Sequence, residues 1–174
     1  YPAQVVAVGA DRGSAPGLTR ADAAGVPTFV LPVADFSSRA AWDEALAERV
    51  GSFSPSLVVL AGFMKLTGPA FLDRFPGRVI NTHPALRPSC PGAHGVHDAM
   101  AHGVKVTGCT CHWVDAGVDT GPIIDQRAVP VEPDDTNETL HERIKVVERE
   151  MLVDVVRGLA ADRSAVGFVL GLPI

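Results

Sequence analysis

The sequence alternates short apolar runs with segments of helical periodicity along most of its length. Continuous apolar runs predict strands buried on both faces. Between them, apolar residues recur at helical spacing, as Trp42, Leu46 and Val50 do in the segment Ser38–Val50. Repeated strand–helix units predict an α/β fold with a mostly parallel sheet and helices on both faces. The predicted strands of the first half are Gln4–Gly9, Thr28–Leu31, Leu57–Ala61 and Val79–Ile80, and the predicted helices are Gly17–Ala24, Ser38–Val50 and Pro69–Phe75.

The second half ends in one long helical pattern. Before it, the sequence predicts a short helix at Val96–His102 and strands at Lys105–Asp115 and Pro122–Val131. Asp135 is followed three residues later by Glu138, a spacing typical of helix starts. The predicted buried stripe of this helix is Leu140, Ile144, Val147, Met151 and Val155.

Length, charge and cysteine usage limit the class of protein. A chain of 174 residues is the size of one domain, covering 1–174. A net charge of −5 argues against nucleic acid as a partner, and no apolar run approaches the ~20 residues that span a bilayer. Three cysteines are too few for a disulfide framework, which favours the cytoplasm. These features argue against nucleic acid and membrane partners and leave a homodimer open.

Three polar residues stand at predicted strand ends and in a turn. Asn81 and His83 follow a predicted strand, and Asp119 lies in a glycine-rich loop. An asparagine can donate a hydrogen bond to a developing oxyanion, and a histidine can transfer a proton near neutral pH. An aspartate can orient the imidazole and favour its charged form. Together they are compatible with acyl transfer that needs no nucleophilic side chain.

Structural roles are open for the same residues when they are taken singly. A histidine before proline often serves as a hydrogen-bonding group, and an aspartate in a glycine-rich turn often bonds nearby amides. A metal site is a further alternative, because Cys90, His94 and His97 have suitable spacing and Cys109 and Cys111 share one strand face.

Longer motifs favour the acyl-transfer interpretation over these alternatives. The segment Asn-Thr-His-Pro-Ala-Leu-Arg-Pro at 81–88, followed by Pro-Gly at 91–92, resembles the Asn-x-His-Pro segment of the folate-dependent formyltransferases that act on glycinamide ribonucleotide. The segments at 103–108, 112–115 and 117–124 are similar to the next block of that family, and 58–64 is similar to its folate-side strand and loop. The resemblance covers nearly all of the chain in the family's order.

The resemblance implies a reaction and a set of site residues. It implies a Rossmann-like formyltransferase fold and formyl transfer from 10-formyltetrahydrofolate to the amine of glycinamide ribonucleotide in purine synthesis, without a metal. Asn81 would stabilise the oxyanion, His83 would transfer the proton, and Asp119 would raise the pKa of His83. Glu148 matches a substrate-contacting glutamate, and Lys145, which shares its helix face, is the second expected substrate residue; an ordinary ion pair is the alternative. The residues implied at the folate site are Arg39, Phe63, Met64, Lys65, Leu66, Thr67, Asn81, Asp115, Val118 and Asp119.

The sequence also departs from the family. It lacks the family's first strand, glycine-rich phosphate-binding loop and helix, so we expect an N-terminally truncated domain with unpaired strand edges and weak binding of glycinamide ribonucleotide. Arg87 stands where the family favours leucine and Cys90 where an aromatic residue is common, which predicts altered packing of the loop after His83.

Two related activities remain as alternatives. A formyltetrahydrofolate hydrolase uses a similar Asn, His and Asp with water as the acceptor, although it normally carries an additional N-terminal regulatory domain. A non-catalytic folate-binding remnant would keep the folate side and lose the substrate side. Methionyl-tRNA formyltransferase is disfavoured by the acidic charge and by the absence of its C-terminal domain.

Overall fold

In a computed structural model, residues 1–161 and 166–170 are described, and they form two compact units. The first unit contains residues 1–80 and the chain from Leu159 onward, and the second contains Asn81–Gly158. The predicted single domain stays a prediction. In chain order the elements are β1 (Gln4–Ala10), α1 (Pro16–Ala23), β2 (Thr28–Val30), a 3-10 turn (Val33–Asp35), α2 (Arg39–Gly51), β3 (Leu57–Leu60), α3 (Pro69–Arg74), β4 (Val79–His83), α4 (Gly95–Ala101), β5 (Val106–Trp113), β6 (Ile123–Pro130), α5 (Asn137–Ala161) and β7 (Val166–Leu170).

The first unit contains a parallel sheet in the order β2-β1-β7-β3. The predicted α/β class with a parallel sheet is therefore confirmed. The strand β7 was not predicted, and its backbone pairs with β1 at Gln4↔Val166 and with β3 at Leu57↔Gly167. The expectation that these strands would have unpaired inner edges was wrong, because β7 supplies the missing hydrogen-bonding partner.

Helix α2 provides much of the buried surface of the first unit. The hydroxyl of Ser38 accepts a hydrogen bond from the Ala41 N–H at 3.1 Å and caps the helix start. The predicted stripe is confirmed, since Trp42, Leu46 and Val50 are all buried. The indole N–H of Trp42 also donates to the Leu31 carbonyl at 3.0 Å, which satisfies its one polar atom.

The second unit is built around the antiparallel pair β5 and β6, with the end of β4 beside β5. The prediction ended the fourth strand at Ile80, but the strand continues to His83. Asn81 and His83 are thus the last residues of β4 rather than the first residues of a loop. Since alternate residues of a strand share a face, they point to one side and Thr82 to the other.

The cap of helix α5 lies one residue later than predicted, at Thr136 and not at Asp135. The hydroxyl of Thr136 accepts from the Thr139 N–H at 3.3 Å, so Thr136 is the cap. The Asp135 carboxylate instead forms a two-pronged ion pair with Arg143. The predicted stripe is largely confirmed: Leu140, Ile144, Met151 and Val155 are buried, and Val147 is half-buried. None of the helices in the part of the chain that the structure describes is long and apolar enough to cross a membrane.

Candidate active site

The end of β4 presents two of the predicted catalytic side chains. Asn81 is half-buried and His83 is only 4% exposed. The Nδ1 atom of His83 lies 3.4 Å from Oδ2 of Asp119, in the loop between β5 and β6. The structure therefore brings His83 and Asp119 together, as the motifs predicted, within the second unit.

The second nitrogen of His83 is also occupied. Its Nε2 lies 2.7 Å from the backbone carbonyl oxygen of Cys90. Both ring nitrogens therefore face oxygen acceptors, and a neutral imidazole can donate to only one of them. Burial lowers the pKa of His83 below its ordinary value, while Asp119 and the Cys90 carbonyl act in the opposite direction. The predicted effect of Asp119 has the expected sign, but burial outweighs it.

The Asp119 carboxylate faces His112, the Gly92 N–H and His83. Its pKa lies well below the usual range, mainly because of the adjacent His112 imidazole, with further contributions from the Gly92 N–H and His83, while burial acts in the opposite direction. The Gly92 N–H donates to Oδ2 at 3.0 Å. Asp119 also has a φ of 52°, in the left-handed region that non-glycine residues rarely adopt. The local chain is thus shaped to present a charged carboxylate.

Sequence reasoning missed His112 as a member of this cluster. Its side chain is 2% exposed, and its Nε2 lies 3.4 Å from Oδ1 of Asp119. Its Nδ1 lies 2.9 Å from the Trp113 carbonyl oxygen, to which it can donate. A histidine near the end of a predicted strand was the available signal. The carboxylate of Asp119 is consequently shared by two imidazoles.

The other predicted residues of this loop differ in what they offer a ligand. The Asp115 carboxylate accepts from the Gly117 N–H at 3.0 Å and from the Thr120 hydroxyl at 2.5 Å. The pKa of Asp115 is lowered, chiefly by the bond from Thr120. Asp115 therefore shapes the loop, whereas Val118 is 48% exposed and free to contact a ligand.

The remaining residues predicted at the folate site lie in the first unit. Met64 and Leu66 are 67% and 63% exposed, although both are large and apolar. The ring of Phe63 stacks on Trp42 with centroids 6.1 Å apart, and Lys65 pairs with Asp11 at 3.7 Å. Thr67 is half-buried.

Two charged residues of α2 form hydrogen bonds with the backbone of residues 63–68. The guanidinium of Arg39 donates to the Leu66 carbonyl and lies 4.2 Å from the Trp42 ring centroid. The buried carboxylate of Asp43, which sequence reasoning missed, accepts from the Gly68 N–H at 2.6 Å and the Phe71 N–H at 3.1 Å. Together they fix both the middle and the end of residues 63–68.

The two predicted substrate residues of α5 have different environments. Lys145 pairs with Glu142 at 2.8 Å. Glu148 is 6% exposed, and burial raises its pKa, while the Thr82 hydroxyl acts in the opposite direction. Lys145 is paired with Glu142 and Glu148 is buried, so the alternative of an ordinary solvated ion pair between Lys145 and Glu148 does not describe Glu148.

The described residues contain no group of three His, Cys, Asp or Glu side chains arranged to hold a metal ion, so Cys90, His94 and His97 do not form one. The thiols of Cys109 and Cys111 are buried, and burial raises the pKa of each to about 12. Such thiols are poor nucleophiles and poor metal ligands at neutral pH.

Comparison with known proteins agrees with this geometry. The sequence profile described as formyl transferase matches residues 1–156, and the chain therefore belongs to the formyl transferase family. It is 58% identical to the phosphoribosylglycinamide formyltransferase of Mycobacterium tuberculosis over 160 residues, which are 92% of this chain and 74% of that protein. The Bacillus subtilis enzyme of the same name is 38% identical over 149 residues, or 86% of this chain and 76% of the relative.

Solved structures give the same result for the fold. Glycinamide ribonucleotide transformylase 1 from Symbiobacterium toebii superposes with a TM-score of 0.89 at 46% identity, covering 91% of this chain and 75% of that one. The predicted Rossmann-like formyltransferase fold is confirmed.

Proposed function

We propose that this chain transfers a formyl group from 10-formyltetrahydrofolate to the amine of glycinamide ribonucleotide, a step of purine synthesis. Its strongest support from the geometry is the buried contact between Nδ1 of His83, in the Asn-x-His-Pro segment, and Oδ2 of Asp119, in the loop between β5 and β6. The names of the relatives support the choice of substrates.

The proposed chemistry needs no covalent enzyme intermediate. The substrate amine attacks the formyl carbon, and the carbonyl electrons move to oxygen to give a tetrahedral oxyanion. Asn81 donates a hydrogen bond to that oxyanion. His83 takes a proton from the attacking amine and gives a proton to the folate nitrogen N10 as the carbon–nitrogen bond breaks. The net proton movement is from the amine to N10.

His83 must release one of its present partners to do this. Its Nδ1 faces Asp119, so the Nε2 atom, now 2.7 Å from the Cys90 carbonyl, is the one that meets the substrates. The carbonyl holds the ring in place before binding, and the substrate nitrogen takes over as hydrogen-bond partner. Asp119, kept ionised by its own low pKa, stabilises the imidazolium that forms during the exchange.

The folate is proposed to bind the exposed apolar side chains Met64 and Leu66, with Phe63, Lys65, Thr67 and Arg39 supporting that segment. In the second unit, taken by itself, Val118 and the Asp115–Asp119 loop are proposed as ligand contacts, and Glu148 and Lys145 are proposed to contact the ribonucleotide. The described residues include three free cysteines, which fits the proposed cytoplasmic location.

A steady-state assay tests the proposal. The protein is mixed with 10-formyltetrahydrofolate and glycinamide ribonucleotide, and both tetrahydrofolate and formylated ribonucleotide are quantified by mass spectrometry. Equal amounts of the two products are expected. Formate release in the absence of ribonucleotide would instead identify a hydrolase, and folate binding without any turnover would identify a non-catalytic remnant.

A further inference from the structure

Arg87, in the segment that follows β4, has no part in the mechanism described so far. Its half-buried guanidinium donates from Nη1 to the Gly121 carbonyl oxygen at 3.2 Å. Gly121 closes the loop that carries Asp119. The contact therefore ties the segment after His83 to the loop that holds its carboxylate partner.

The backbone of Arg87 is fixed on both sides. Its N–H donates to the Thr110 hydroxyl oxygen at 3.1 Å, and its carbonyl accepts from Nε2 of Gln126 at 2.9 Å. The hydroxyl of Thr110 is itself buried and donates to the Ala85 carbonyl at 2.7 Å. The guanidinium thus extends from a point held by both β5 and β6.

The loop is narrow where Arg87 reaches it. The Trp113 N–H donates to the Pro122 carbonyl at 2.9 Å, and a Cβ at Gly121 would lie 1.9 Å from the Trp113 carbonyl oxygen. No side chain fits at Gly121, so this residue has no side chain with which to anchor the loop. The anchoring hydrogen bond to its carbonyl comes from Arg87, in another segment. Asp119 nearby has a left-handed φ of 52°, a conformation that persists only where surrounding contacts hold it.

We propose that Arg87 is a positioning residue, which holds the Asp119 loop through the Gly121 carbonyl so that the Asp119 carboxylate stays aligned with His83. This inference rests on the proposed formyl transfer. From the sequence, Arg87 was expected to alter the packing of the loop after His83. We propose instead that it stabilises this region, because its N–H, carbonyl and guanidinium all have hydrogen-bond partners.

The charge of Arg87 gives the proposal a second readout. The ionisable groups that act on His83 are Asp119, His112 and Arg87, of which only Asp119 raises its pKa. Loss of the Arg87 charge alone would raise the pKa of His83, whereas loss of alignment with Asp119 would lower it. A variant that keeps the charge therefore isolates the effect of alignment, which a side chain that merely fills space would not have.

The test compares Arg87→Met with Arg127→Met. Arg127 is also half-buried in the second unit, but it pairs with Asp154 on α5. For Arg87→Met we expect kcat to fall about tenfold, equivalent to ~1.4 kcal/mol in the barrier. We also expect faster amide hydrogen exchange across residues 114–121. The control is expected to match the wild type in both measurements.

Arg87→Lys keeps the charge and loses the planar guanidinium. It should lower the pKa of His83, followed by NMR, because the charge is kept while Asp119 loses its alignment, and exchange in residues 114–121 should be faster than in wild type. If Arg87→Met fails to fold, Arg87→Lys still tests the proposal. Exchange and titration in the Arg87 variants equal to those of Arg127→Met would overturn the proposal. A wild-type protein without transfer activity would reject the proposed function, whereas exchange and titration would still decide the role of Arg87.

Discussion

Residues 63–68 of the first unit, where folate is proposed to bind, and the histidine cluster of the second unit differ in how their side chains are held. Met64 and Leu66 expose most of their apolar surface, and hydrogen bonds from Arg39 and to Asp43 fix the backbone around them. His83 and His112 are buried, and each of their ring nitrogens faces an oxygen atom.

The difference follows from what each region is proposed to do. A surface that binds an apolar ring must leave apolar area uncovered until the ligand arrives. A group that transfers protons needs a fixed orientation and a tuned pKa, which burial and neighbouring charges provide. The predictions below test this division, starting with the largest expected effect.

Asp119→Asn should have the greatest effect on catalysis. The amide has no charge with which to stabilise two imidazoles, so we expect kcat to fall by about 10²–10⁴-fold with little change in folate affinity. Steady-state kinetics and fluorescence titration with folate measure the two quantities. Asp125→Asn, on β6 and outside the cluster, is the control. Unimpaired turnover of Asp119→Asn would refute the role assigned to this carboxylate.

Asp43→Ala tests whether the exposed segment also depends on buried support. The substitution removes two hydrogen bonds to a buried carboxylate, and such bonds are worth about 1.5–3 kcal/mol each. We expect a loss of about 2–4 kcal/mol in the free energy of unfolding, measured with urea, together with weaker folate binding. Asp73→Ala, at an exposed position on α3, is the matched control. Equal stability of the two variants would show that the segment does not rely on Asp43.

Replacing both Met64 and Leu66 with alanine should weaken folate binding and leave folding intact. Losing two apolar contacts is expected to cost about 1–3 kcal/mol of binding free energy, or roughly 5- to 150-fold in Kd. The melting temperature should change little, because both side chains are exposed. Val30→Ala alters an exposed residue of the same unit for comparison. Unchanged folate affinity would remove the binding role from this segment.

The smallest expected effect is a pH dependence of stability. The folded-state pKa of His83 is lowered, so the unfolded chain binds its proton first as the pH falls. Stability is therefore lost as the pH drops below the ordinary histidine value of about 6.5. Asp119, whose pKa is also lowered, contributes stability above about pH 4 that disappears in more acidic solution. Urea unfolding at about pH 7.5 and about pH 5.5 should show a smaller decrease for His83→Gln than for wild type.

The sequence was most informative where local pattern and motif coincide. The apolar run at Val79–Ile80 and the Asn-x-His-Pro motif together predicted where His83 lies, and the stripe of α2 was recovered from spacing alone. His112 was missed because its approach to Asp119 depends on how the β5–β6 connection turns back, which spacing does not encode. The contacts of Arg87 could not be predicted for a similar reason, because its partners Thr110, Gly121 and Gln126 are distant in sequence. The strand β7 was missed because its pairing with β1 and β3 depends on residues at the far end of the chain.

The position of β7 in the first unit has a consequence for synthesis on the ribosome. The second unit is a continuous stretch, Asn81–Gly158, and all of its strands are available once that stretch has emerged. In the first unit, β1 and β3 emerge early but wait for Val166–Leu170 before their sheet can be completed. During translation, β1 and β3 therefore remain without their shared partner for longer than the strands of the second unit do. Chaperone binding to β1 and β3 is expected in this interval, because their edges are unpaired.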